Sequence, residues 1–400
     1  MALDKTSSAV WQNAELVQKA KEIGARYTEK AVGLAQDIAR ISAPTGDEGM
    51  RAEFVAELFR SHGIPDVSVD AINDVVAVHP GKNPGSPLLL AAHIDTVFVE
   101  DTPLNIHSDT TKAFGPGVGD NSLGVAAVIL MAEMLEEFGQ PLSTALLLTG
   151  NVGEEGLGNL RGINKVLDTY PDIGAVVAIE GQNLGRITHI AVGSVRLRVV
   201  VTGPGGHSWG DFGNPNAILA AARIIESLEQ IPLTQSPKTT LSVGMISGGI
   251  SINSIAPEVT LDIDLRSTDP TSLSRLLTRV LATIDSPYKS LDPRIKVKHN
   301  VLGERPAGQA SANSRIVTSA AEILRSLSCP PSADASSTDA NAAIARGIPA
   351  ICIGMTTGGS AHRMDEYIDI PPIGTGLAQL LLLSLSLSDD LAAGRLTGPA

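Results

Sequence analysis

Four stretches of this chain are apolar without alternation: residues 88–92, 145–149, 175–179 and 350–354. A strand with one covered face alternates apolar and polar residues, whereas unbroken runs suit parallel strands buried on both faces. Helical segments lie between several of them. Helices over about 8–41 and 47–62 precede them, and an apolar helix over about 374–387 closes the chain, with the last dozen residues frayed. Strand and helix in alternation predict an α/β fold, a mostly parallel sheet flanked by helices.

Ligands of such sheets bind beyond the carboxyl ends of the strands. His93 and Asp95 follow the first run, Glu154 and Glu155 the second and Glu180 the third; the fourth leads into a loop ending at His362. Asp120 lies in Gly117-Val-Gly-Asp-Asn-Ser-Leu-Gly124, a loop that opens an apolar helix reaching about Phe138. Taken singly, these residues have ordinary readings. Glu154-Glu155 between glycines is a solvated turn, His93 a core histidine, His362 a surface residue and Gly-Asp-Asn turn chemistry. The shared placement at the strand ends is the signal.

Two histidines and three carboxylates suit divalent ions, with zinc the usual occupant and cobalt or manganese the alternatives. If Asp120 bridges, the ions stand about 3.5–4 Å apart, as in two-metal hydrolases. Such a pair lowers the pKa of a shared water, which still needs a base. Adjacent residues leaving a strand point in different directions, so Glu154 and Glu155 can divide ligation and proton transfer. Asp95 is placed to accept the hydrogen bond from the other ring nitrogen of His93.

The middle of the chain changes character. Over about 187–302 the strands alternate, most clearly in Leu261-Asp-Ile-Asp-Leu-Arg266. The order strand, helix, strand, strand, helix, strand is a split βαβ pattern. We expect an inserted α+β domain over 187–302, a lid, with the catalytic domain formed by 1–186 and 303–400.

A net charge of −13, 3% aromatics and no basic cluster argue against nucleic acid or an anionic membrane surface. The apolar runs are too short or interrupted to span a bilayer, and the first residues lack a signal-peptide pattern. Two cysteines, Cys329 and Cys352, build no disulfide framework, so a reduced, cytoplasmic setting is expected. His62, His79, His107, His189 and His299 are read as structural, and Asp339 as a helix cap.

Taken in order, His93-Ile-Asp95-Thr, Gly119-Asp120-Asn121, Gly153-Glu154-Glu155-Gly156, Ile179-Glu180-Gly181, Gly205-Gly206-His207-Ser208 and Ala361-His362 resemble a known family. It is the co-catalytic dizinc metallopeptidase family 20, which includes carboxypeptidase G, aminoacylase-1, succinyl-diaminopimelate desuccinylase and tripeptide aminopeptidase. The resemblance covers nearly the whole chain. It implies that His93 and Glu180 hold one zinc, Glu155 and His362 the other, and that Asp120 bridges. Glu154 is then the general base and proton donor, with Asp95 supporting His93. His207 stabilises the oxyanion, reaching across a homodimer formed through the lid. Asn253 and Arg266 hold a substrate carboxylate, for which an arginine fork is suited. Lid closure would bring Arg266, Asn253 and His207 onto the substrate. The resemblance also implies a cis Asp120–Asn121 peptide.

The function expected is metal-dependent hydrolysis of a terminal peptide or N-acyl amide bond in a small substrate with a free carboxylate. Glu180 and Arg266 favour this carboxypeptidase or deacylase branch. A tripeptide aminopeptidase or dipeptidase is the alternative, since Gly-Asp-Asn-Ser and Ser336-Ser-Thr-Asp-Ala-Asn341 also resemble those proteins. A non-catalytic peptide-binding relative ranks last, because Glu154 and all five ligand positions are filled.

Overall fold

The computed structural model describes residues 10–288 and 292–396. The chain divides into two compact units, Met1–Ile190 with Ala310–Ala400, and Ala191–Gln309.

In the first unit, strands run in the order Val67–Val69, Val75–His79, Leu146–Asn151, Leu88–His93, Ala175–Glu180, Ala350–Gly354, Arg186–Ala191. The four apolar runs form its parallel centre, and every residue of the strands Leu88–His93, Leu146–Asn151, Ala175–Glu180 and Ala350–Gly354 except Glu180 is buried. This is the expected α/β sheet with flanking helices. Register sets up the site. Leu88 lies opposite Ala175 and opposite Leu146. Carried along the strands, that alignment puts His93 level with Glu180 and with Asn151, three residues before Glu154.

Three local features differ from the sequence reading. Residues 186–191 form a separate strand antiparallel to Ala350–Gly354, which extends the main sheet instead of starting the inserted unit. The apolar helix after Asp120 is two helices, Leu123–Ile129 and Met131–Phe138, bent by 42° at Leu130. The last helix continues to Ala392, because buried Asp390 accepts from Arg315 Nε (2.8 Å) and Arg395 Nε (2.6 Å) and ties the end down.

The first helix runs Ala14–Ala39, capped by Asn13, whose side chain accepts from the Glu15 and Leu16 amides; Ser8 and Ala9, where a helix is expected to start, lie outside the described residues. It packs along Ile373–Ala392 so closely that a Cβ on Gly24 would collide with the Gly374 carbonyl. Among the described residues no single helix is long and apolar enough to cross a membrane.

The second unit is a four-stranded antiparallel sheet in the order Thr239–Gly248, Glu258–Ser267, Gly193–Thr202, Lys296–Arg305. Helices Ala217–Glu229 and Pro270–Tyr288 pack on it. Val195, Leu197, Val199, Leu261, Ile263 and Leu265 fill the core between sheet and helices. Arg196, Arg198, Asp262, Asp264 and Arg266 alternate onto the opposite face, as the period of two requires.

Candidate dinuclear metal centre

The first unit brings five side chains together from five regions of the chain. Leu88–His93 and Ala175–Glu180 deliver His93 and Glu180 from the carboxyl ends of adjacent parallel strands. The turn after Leu146–Asn151 delivers Glu155. Its path is fixed by Gly153 in the left-handed region (φ 70°) and by the Leu160 amide donating to the Gly153 carbonyl at 2.9 Å. His362 stands in the loop between Gly358–Gly359 and Tyr367–Asp369. Tyr367–Asp369 pairs with Lys112–Phe114, the strand that leads into the Asp120 loop. That small sheet makes Asp120 and His362 neighbours.

The ligand atoms fall into two trios, His93–Asp120–Glu180 and Asp120–Glu155–His362, each within 4.8 Å. Asp120 belongs to both and uses one oxygen for each. Its Oδ1 lies 3.2 Å from His93 Nε2, and its Oδ2 lies 3.0 Å from His362 Nε2. His93 Nε2 is also 3.6 Å from Glu180 Oε2, and His362 Nε2 is 2.9 Å from Glu155 Oε1. The Asp120–Asn121 peptide is cis. Asn121 Nδ2 donates to the Ile179 carbonyl at 2.7 Å and so ties the Asp120 loop to the strand ending at Glu180.

Electrostatics show what this cluster requires. Burial alone would raise the Asp120 carboxyl, but His362 and His93 together hold it well below the usual range. Burial pushes Glu180 up to about 7, with His93 opposing. Asp120 and then Glu155 push His362 up to about 10. Burial disfavours charge on His93, yet Asp120, Asp95 and Glu180 carry it well above its ordinary value. The carboxylates thus call for positive charge. His93 Nδ1 is 3.1 Å from the Asp95 carbonyl, which makes it an N–H donor and turns Nε2 towards the Asp120 and Glu180 carboxylates. His93 Nε2 and Glu155 Oε1 are buried, and the groups nearest to them are the other members of the two trios. Three carboxylates and two imidazoles whose ligand atoms converge within 4.8 Å in each trio fit divalent cations, and the donor set of nitrogen and oxygen fits the same ions.

Asp95 has a second role beyond His93. His93 Nδ1 lies 3.1 Å from its carbonyl and 3.6 Å from its Oδ1, and its carboxylate accepts the Glu154 amide (3.0 Å), the Glu155 amide (2.9 Å) and the Thr45 hydroxyl (2.8 Å). Buried Arg51 donates to the Ile94 carbonyl (2.9 Å) between these residues. Burial pushes that guanidinium down to about 10, with Asp95 opposing. Glu154 is buried beside Glu155.

One further residue escaped the sequence reading, and Asp339, expected as a cap, is engaged elsewhere. Glu366 is buried and accepts three amides of the Asp120 loop. Burial and the Asp120 charge push it up to about 8, and the amides oppose this. Asp339 makes no capping bond; it accepts from Asn151 Nδ2 at 2.7 Å instead.

In the second unit, His207 pairs with Ser254, and the Ser208 amide donates to the Asn253 carbonyl at 3.0 Å. The amides of Trp209 and Gly210 both donate to His207 Nδ1 at 3.2 Å, so Nε2 carries the proton and stays available as a donor. Asn253 Oδ1 accepts from Ser251 Oγ at 3.0 Å. Arg266 donates to Asp264 at 2.7 Å and pairs with Ser194, at the far end of the sheet. His207 lies beyond the end where Thr202 pairs with Glu258. Eight residue steps along the strand separate Glu258 from Arg266, roughly 26 Å. Within one copy of this unit, Arg266 therefore stands at the opposite end of the sheet from His207 and Asn253.

The peptidase family M20/M25/M40 model matches residues 89–385. The chain belongs to this family of metal-dependent hydrolases and is a hydrolytic enzyme of the peptidase and amidohydrolase class. It is 24% identical over 362 residues to a succinyl-diaminopimelate desuccinylase of Corynebacterium glutamicum, covering 88% of this chain and 95% of the other. A Staphylococcus aureus tripeptidase structure superposes with a TM-score of 0.77 at 21% identity, over 90% of this chain and 98% of that one. A dinuclear metal-binding M20 peptidase from Bacillus subtilis superposes with a TM-score of 0.67 at 15% identity, over 91% and 99%.

Proposed function

We propose that this enzyme hydrolyses the amide bond of a small peptide or N-acyl amino acid that carries a free carboxylate. The observation that carries the reading is the pair of trios sharing Asp120, set beside the Glu154–Glu155 turn. His93 and Glu180 would hold one divalent ion and Glu155 and His362 the other, with Asp120 common to both and zinc the expected metal. Such ions, when bound, polarise the substrate carbonyl and lower the pKa of a water between them.

The chain's own groups do the rest. Glu154, its amide held by Asp95, takes the proton of the attacking water and delivers it to the leaving amine. His207 Nε2–H donates to the oxyanion as the carbonyl turns tetrahedral. Arg266 and Asn253 take the carboxylate. The separation of Arg266 from His207 and Asn253 within one copy supports a homodimer, in which a second copy supplies His207 and Asn253. Release from a terminus or an acyl group follows from a clamp for one free carboxylate. A cytoplasmic setting agrees with two free cysteines, one of them buried.

A tripeptide aminopeptidase or dipeptidase is the second reading, favoured by the superposition on the tripeptidase. A paired assay on zinc-loaded enzyme separates the two. One substrate is an N-acylated amino acid with a free carboxylate, the other a short peptide with a free amine and a blocked C-terminus. Cleavage of the first alone is the expected result. Cleavage of the second alone removes the carboxylate role of Arg266 and establishes the aminopeptidase reading.

A further inference from the structure

Asp120 sits in a glycine-rich loop. Gly115, Gly117 and Gly119 alternate with few side chains, Gly117 is left-handed (φ 74°), and the loop is anchored by buried Val118 and by the Asn121 bond to Ile179. The amides around Asp120 itself are held by Glu366, four residues after His362 and fully buried. Glu366 Oε2 accepts the Gly117 amide at 2.7 Å. Its Oε1 accepts the Gly119 amide at 2.8 Å and the Asp120 amide at 2.7 Å. Its main-chain carbonyl accepts the Gly115 amide at 2.9 Å. Gln182, two residues after Glu180, adds a 3.4 Å contact from Nε2 to Oε1. A Cβ on Gly119 would stand 2.6 Å from that Nε2 and 2.8 Å from Ile368 Cγ2, so a side chain there would displace Gln182 and Ile368.

Three converging N–H donors, split between two oxygens, require two acceptor atoms, and only a carboxylate offers both. A glutamine of the same shape could serve the two amides at Oε1, but it would turn an NH2 group towards the Gly117 amide.

We propose that Glu366 is a positioning residue of the metal centre. It fixes the Asp120 carboxylate between the two trios and couples the Asp120 loop to the loop that carries His362. The proposal rests on the metal-centre reading above and adds a residue that touches neither ion nor substrate. Because Asp120 is common to both trios, losing Glu366 must weaken both positions and not one alone.

The test uses chelator-stripped wild type, Glu366→Gln and Glu366→Asp, with exposed Asp365→Asn as control. Each is titrated with Zn2+ by calorimetry and with Co2+ by visible absorption. Wild type and Asp365→Asn should take up two equivalents. Glu366→Gln should bind both about 10–100-fold more weakly, the range for residues that orient metal ligands, with an altered Co2+ spectrum. Glu366→Asp should fall between. Two equivalents bound by Glu366→Gln with wild-type affinity and spectrum overturn the proposal, as does lower thermal stability with the Co2+ spectrum unchanged. If Glu366→Gln does not fold, Glu366→Asp decides by the same criteria. Wild type that takes up fewer than two equivalents refutes the metal-centre reading itself, and this proposal with it.

Discussion

Asp95 holds Glu155 by its main chain: Asp95 Oδ2 accepts the Glu155 amide at 2.9 Å, while Oδ1 accepts the Glu154 amide at 3.0 Å. One carboxylate thus sets the spacing of the proposed base and a proposed ligand, two residues from the histidine that begins the site. Both amides are buried and would be orphaned without it. Asp95→Ala should lower kcat about 10–100-fold and weaken metal uptake, with KM little changed. Steady-state kinetics at saturating metal check this; an unchanged kcat would show that the turn holds itself.

The sheet and most of the site were legible in the sequence because the strands advertise themselves. Runs such as Leu88–Ala92 are apolar on both faces, and the polar residue that ends each run stands out against them. Asp95 was legible only as a partner of His93, two residues away, because spacing along a segment cannot show that the turn at Glu154 folds back against it. Glu366 was missed for a similar reason. In Ala361-His-Arg-Met-Asp-Glu366 it resembles one more polar loop residue, and its amide partners lie 246 to 249 positions away. Asp339 sits where a cap belongs, and only the fold shows Asn151 beside it. The separation of Arg266 from His207 depends on the register of three strands, which composition does not encode.

Asp74 carries a pH dependence of stability. It is buried, and its Oδ1 accepts the Val152 amide at 2.9 Å. Burial raises it from 3.8 to about 7, with that amide opposing. Between those values the unfolded chain has lost the proton that the folded chain keeps, so the folded state binds more protons. Stability from this group is fully present below about pH 4 and is lost as pH rises through 7. Asp74→Asn lacks that slope. Its stability relative to wild type should therefore rise by about 2–4 kcal/mol between pH 4.5 and 7.5, by denaturant unfolding. Parallel curves for the two proteins would contradict the assignment.

If His207 serves the site of a second copy, two inactive variants should complement. His207→Ala keeps Glu154, and Glu154→Gln keeps His207. Mixed under conditions that exchange subunits, they should regain activity, up to about a quarter of wild type for random two-fold dimers with one intact site per mixed dimer. Sedimentation should give a dimer throughout. Full activity in a monomer, or no recovery on mixing, would place His207 outside the reaction or within its own chain's site.

The most direct test of the account is Glu154→Gln, measured for bound metal and for turnover in the same preparation. The account gives the five ligands and the proton carrier to different side chains. The variant should therefore retain two equivalents of divalent metal while kcat falls about 10²–10⁴-fold. Wild-type turnover with both equivalents bound would contradict the central claim, because Glu154 would then not be the group that moves the proton.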